Sequence, residues 1–147
     1  MPVPVEGQFV DTNILVYAHD VSAGKKYQQA QGILQALWDS GTGCVSVQVM
    51  QEFYVAVTQK VPDPLKPEEA ARIVADLSAW RVHTPDAPDV LAAIDLQLRH
   101  RISFWDAMIL QSAIELASTV LLSEDLNPGQ IYDGVRVRNP FSAVAGE

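Results

Sequence analysis

Apolar residues recur at helical spacing from Ser22 to Ser40, where Tyr27, Ala30, Ile33, Leu34, Leu37 and Trp38 fall on one face. Gly41 and Gly43 stop that helix. Short apolar runs at Gln8 to Asp11, Cys44 to Ser46, Arg81 to Thr84, Val120 to Ser123 and Val135 to Val137 predict strands. Helical patterns fill the intervals: Ile14 to His19, Val47 to Lys60 behind Ser46 as N-cap, Pro88 to His100, and Ser103 to Ala117. A further helix starts at Pro67 and runs to about Trp80, with Glu68 and Glu69 placed at the positive end of its dipole. Strands that alternate with helices imply an α/β fold, a mainly parallel sheet covered on both faces.

The 147 residues suit one domain, taken here as 1–147, with no repeat or long linker. No apolar run reaches the roughly 18 residues of a membrane span, so no membrane partner is expected. Met1 to Gly7 lacks a basic region and an apolar core, so no signal peptide is expected. The single cysteine, Cys44, cannot form an internal disulfide and lacks partners for a zinc site, which points to the cytoplasm.

The formal charge is −8, from 18 acids against 10 Lys and Arg, which disfavours a protein that tracks nucleic acid through a basic surface. Two Mg²⁺ held by acidic side chains would move it to about −4 and invert the sign where a phosphate sits. Charge therefore counts less against a metallonuclease than against a groove binder.

Four acidic positions hold the candidate chemistry. Asp11 follows the first strand, at the sheet edge where open α/β folds bind ligands; capping the next helix is its competing role. On a helical wheel from Trp105 to Ala117 the apolar face centres near Asp106, with Ile109, Leu110 and Ala113 beside it and Gln111, Ser112 and Glu115 opposite. A carboxylate on an apolar face must be compensated, either by a ligand or by a capping box with Ser103. Glu124 and Asp125 follow the strand Leu121-Leu122-Ser123, where turn acids are common. Glu52 lies at the border of its helix's apolar face, where a glutamate is usually just solvated. Taken together, oxygen donors without a His or Cys cluster suit Mg²⁺ or Mn²⁺, and two such ions can clamp a phosphodiester.

Other chemistries find less support. His19, His83 and His100 share no motif, and no P-loop, G-x-S-x-G or G-x-G-x-x-G occurs. Met50, Met108 and the tryptophans sit at helical spacing and are expected in the core, and the clusters Arg99-His100-Arg101 and Arg136 to Arg138 are expected to be solvated surface. An aspartyl-phosphate enzyme needs a second Asp two residues after the first and a late strand-end lysine. Here Asn13 stands at the first position and no lysine follows Lys66.

Phe9-Val-Asp-Thr-Asn13, Glu52, Ser103-Phe-Trp-Asp-Ala107 and Leu121-Leu-Ser-Glu-Asp125 resemble, in order, the motifs of the PIN domain, in particular the VapC-like toxin ribonucleases. The tail Asp133-Gly-Val-Arg-Val-Arg-Asn-Pro-Phe141 is similar to the last strand of that group. The resemblance implies about five strands in the order 3-2-1-4-5 and an acidic pocket at their carboxyl edge, with Asp11 beside Asp125. It implies that Asp11, Glu52, Asp106 and Asp125 bind Mg²⁺ or Mn²⁺ and catalyse RNA hydrolysis by a metal-activated water, leaving a 5′-phosphate and a 3′-hydroxyl. Thr12, Asn13 and Ser123 match supporting polar positions. Ser123 departs from a common threonine, and Glu124 adds an acid that could compete with Asp125. A small VapB-like antitoxin with a basic side chain in the acidic pocket, and a homodimer, are implied as partners. The alternative is a catalytically silent PIN-like module that binds protein or RNA.

Overall fold

The computed structural model describes residues 6–142. The expectations for Met1 to Val5, and the last five residues of the 1–147 domain, lie outside that range. Six strands form one sheet: β1 (Gln8–Val10), β2 (Gly43–Ser46), β3 (Arg81–His83), β4 (Val120–Leu122), β5 (Ile131–Tyr132) and β6 (Val135–Arg138). Their spatial order is β3-β2-β1-β4-β6-β5. All neighbours are parallel except β5 and β6. The parallel part reproduces the expected five-strand order, with β6 as its fifth strand. The addition is β5, two residues long and too short to leave a periodic signal.

Six α-helices cover the sheet: α1 (Thr12–Tyr17), α2 (Lys25–Ser40), α3 (Val47–Gln59), α4 (Pro67–Leu77), α5 (Ala87–His100) and α6 (Phe104–Glu115). None of them is long and apolar enough to cross a membrane. The expected helix from Ser22 to Ser40 is broken at Gly24, whose φ of 63° lies outside the right-handed helical range and separates a 3₁₀ turn from α2. The Ser46 hydroxyl accepts the Val49 N–H at 3.2 Å, which makes it the N-cap of α3.

Phe9, Val10, Cys44, Val45 and Leu121 are fully buried, as strands covered on both faces require. Phe53 and Val57 of α3 and Leu110 and Ala113 of α6 close the core from the helical layers. A Cβ at Gly43 would lie 2.6 Å from the Trp80 ring, so only glycine lets that indole pack over β2.

The wheel reading of α6 requires correction. Every residue from Ala107 to Ala113 is buried, including Gln111 at 6% and Ser112 at 0% exposure. The polar side of the wheel faces α5 and β3. Gln111 Nε2 donates to Asp89 Oδ1 and to Glu115 Oε1, both at 3.1 Å, and Ser112 Oγ pairs with His83 Nδ1 at 2.8 Å.

Candidate active site

Strands β1 and β4 are neighbours, with Val10 opposite Leu122, and beyond that pair the two chains run on as Asp11 and Ser123. The Asp11 N–H donates to the Leu122 carbonyl at 3.0 Å, so the ladder itself sets the position of Asp11. This is the carboxyl edge of the sheet at the point where strand order reverses. A cavity of about 610 Å³ opens there, and Asp11, Glu52, Asp106 and Asp125 all line it.

Asp11 is 5% exposed and has two roles at once. Its Oδ1 accepts the Thr12 N–H at 2.7 Å, capping α1, while its Oδ2 accepts the Ser123 hydroxyl at 2.7 Å. The capping and site readings are thus the same arrangement. Burial pushes its carboxyl up to about 7; the Ser123 hydroxyl and Thr12 N–H offset part of this, and the charges of Asp125 and Asp106 add to it.

Glu52, exposed on α3, accepts the Thr12 hydroxyl at 2.7 Å. Asp125 accepts Asn13 Nδ2 at 3.1 Å, and its backbone N–H donates to the Ser123 hydroxyl at 3.1 Å. Desolvation and the charges of Asp106, Glu124 and Glu52 raise the Asp125 carboxyl above its ordinary value, against the Asn13 contact. Thr12, Asn13 and Ser123 therefore each hold one acid, and Ser123 touches two.

Asp106 is half-buried at the start of α6, at the cavity wall rather than in the core. Its N–H donates to Ser103 Oγ at 3.0 Å, but among the described residues a complete capping box is formed by α5, between Asp86 and Asp89. Half of the capping alternative is present, and Asp106 also lines the cavity.

Glu124 is bonded elsewhere: it accepts the Tyr17 hydroxyl and pairs with Lys26 Nζ at 2.9 Å, and it is not among the residues that line the cavity.

The donor set fits a hard divalent cation. Four carboxylates and no sulfur or imidazole line the cavity, and Asn13 Oδ1, another wall atom's oxygen, is buried with no hydrogen-bond partner. Among the described residues, the group whose ligand atoms lie within 4.8 Å of one another is His83, Asp89 and Glu115. These residues are off the acidic cavity. His83 Nε2 lies 3.2 Å from Asp89 Oδ2, and hydrogen bonds to Gln111 and Ser112 complete a clamp between β3, α5 and α6.

Tyr17, Gln48, Gln51 and Lys60, not singled out in the sequence, also line the cavity, as does Trp105. Of the three tryptophans expected in the core, Trp80 packs against it, whereas Trp105 is 63% and Trp38 43% exposed. Trp105 directly precedes Asp106 on the first turn of α6, and that adjacency was the available signal.

The family model described as PIN domain matches residues 9–133. A search among curated proteins found no match. A toxin–antitoxin complex from Klebsiella pneumoniae is similar in structure, with a TM-score of 0.65 and 20% identity, covering 92% of this chain and 98% of that one. DNA-bound VapBC from Salmonella typhimurium gives 0.63 and 16%, covering 92% and 99%. Mycobacterium tuberculosis VapC20, described as a sarcin–ricin loop cleaving toxin, gives 0.59 and 19%, covering 78% and 87%.

Proposed function

This chain belongs to the PIN domain family, and on that basis we propose that it is a Mg²⁺- or Mn²⁺-dependent endoribonuclease, the toxin of a VapBC-type pair. The carrying observation is the convergence of Asp11, Glu52, Asp106 and Asp125 on one open cavity at the carboxyl edge of the sheet.

In this reading the four carboxylates and Asn13 Oδ1 hold the cation. Bound there, it supplies a lowered pKa for water and positive charge for the phosphate oxygens. The chain's own residues do the positioning. Ser123 fixes the Asp11 carboxylate, Thr12 fixes Glu52, and Asn13 fixes Asp125. Lys60, exposed at the cavity rim, offers a charge to a flanking phosphate.

The similar structures are those of toxins and toxin–antitoxin complexes, which supports a small antitoxin as partner. An Arg of such a partner would match the acidic cavity, because its planar fork engages carboxylate oxygens in pairs. A homodimer is part of the proposal, supported by Leu91, Ile94 and Leu98 on one exposed face of α5. Expression in the cytoplasm, beside its RNA, completes it.

The test is incubation of the purified protein with structured and unstructured RNAs in Mg²⁺, Mn²⁺ or EDTA. Cleavage should require metal and fall on the order of 10²-fold or more in Asp11→Asn and Asp106→Asn. Equal cleavage by wild type and both variants removes the assignment. Growth inhibition by this chain, relieved by Asp11→Asn or by a co-expressed neighbouring small protein, tests the toxin role separately.

A further inference from the structure

The cavity at the sheet edge has two chemistries. Besides the four acids, Trp105, Val55 and Ile109 and the amides of Gln48 and Gln51 line it. A bound cation and a phosphate account for the acids and leave these side chains unused.

Trp105 is 63% exposed on the first turn of α6 and lines the cavity, with its ring in T-shaped contact with Phe104 at 5.1 Å, so much of the indole is accessible from solvent. Gln48 is anchored to it only loosely, through Nε2 to the Trp105 carbonyl at 3.4 Å. The other end of that amide, Oε1, is buried without a hydrogen-bond partner. Such an acceptor costs stability until a donor reaches it. An accessible indole beside an unsatisfied amide, one residue from Asp106, matches what a nucleobase offers: a π-face and an edge with N–H donors.

We propose that Trp105 and Gln48 form a base-binding subsite that takes one unstacked, amino-bearing nucleobase of single-stranded RNA next to the cleaved phosphate. The proposal rests on the ribonuclease reading and deepens it by naming the substrate class. The indole supplies sequence-tolerant stacking. Gln48 supplies the preference, turning Oε1 toward an exocyclic amino group at the loss of one long hydrogen bond. A base held in a duplex cannot reach either group, so double-stranded RNA is excluded from this subsite.

The test is binding, kept separate from cleavage. Fluorescent single-stranded oligoribonucleotides, intact or abasic at one position in turn, are titrated in Ca²⁺ against wild type, Trp105→Phe, Trp105→Ala and Gln48→Ala, and read by anisotropy. For wild type, one abasic position should weaken binding about tenfold. Trp105→Ala should weaken binding of intact RNA to a similar degree and abolish that abasic penalty, while Trp105→Phe retains it. Gln48→Ala should remove discrimination between cytosine and uracil at the same position. Wild-type affinity in Trp105→Ala, or an abasic penalty that survives it, overturns the subsite. Cleavage in Mg²⁺ that proceeds without any Trp105 effect on binding removes the subsite alone. A Trp105 effect on binding without metal-dependent cleavage removes the nuclease reading alone.

Discussion

The Ser123 hydroxyl donates to Asp11 Oδ2 at 2.7 Å while accepting the Asp125 N–H at 3.1 Å, so one buried hydroxyl sets two acids of the site. Ser123 is fully buried, and its removal leaves the Asp11 carboxylate short of a donor. Ser123→Ala should cost about 1–3 kcal/mol in urea unfolding of metal-free protein. In a double-mutant cycle with Asp11→Asn the two effects should fail to add, because both variants alter the same contact. Additive effects would place the value of Ser123 elsewhere.

The Asp11 carboxyl gives a pH dependence with a definite sign. Its pKa rises from 3.8 unfolded to about 7 folded, so between those values the folded protein binds the extra proton. In EDTA, stability should therefore fall as pH rises from 4 to 7, by up to about 4 kcal/mol. Asp125, also raised, acts in the same direction. Asp89, whose carboxyl lies below its ordinary value, loses its contribution only below about pH 4, outside this window. Asp11→Asn should flatten the profile; an unchanged slope would show that another group titrates.

Divalent metal should stabilise the protein. At a hundredfold excess over Kd, Mg²⁺ or Mn²⁺ adds about 2.7 kcal/mol, or about 5–10 °C in Tm for a chain of this size. Because Asp11 must lose its proton to bind metal, the shift should be smaller at pH 6 than at pH 8. Calorimetry that finds no shift at pH 8 would count against cation binding by these acids.

Adjacent acids should behave differently. Glu124 is held by Tyr17 and Lys26 and does not line the cavity, whereas Asp125 does. Glu124→Gln should leave RNA cleavage within about twofold and cost no more than about 1 kcal/mol of stability. Asp125→Asn should lower cleavage on the order of 10²-fold. The reverse ranking in single-turnover assays would exchange their roles.

Strand-end position made Asp11 legible in the sequence, since a carboxylate after a buried apolar strand lands at the sheet's carboxyl edge whatever the details. Asp106 stood out because it shares the apolar side of its helix, although the structure places it at the cavity wall and not among core side chains. Ser123 came only with the family resemblance. What a wheel cannot tell is whether a polar side meets water or another helix. Gln111 and Ser112 read only as the polar side for that reason, while in the fold they reach the carboxylate and imidazole of Asp89 and His83. Trp105 was misread because helical spacing alone argued for burial. Its exposure arises from its place on the first turn of α6, overhanging a cavity that only tertiary structure creates. Strand β5 has two residues and no periodicity to read.

That last strand has a consequence for the protein in concentrated solution. The sheet ends on β3, three residues long, and on β5, two residues long, which covers the four-residue strand β6 behind a tight turn. A strand of two or three residues presents too few free backbone groups to recruit a strand from a neighbouring molecule. Growth by stacking sheets edge to edge into fibres is therefore blocked at both ends, by brevity on one side and by a hairpin cap on the other. Association between copies is left to helix surfaces, where side chains rather than backbone choose the partner.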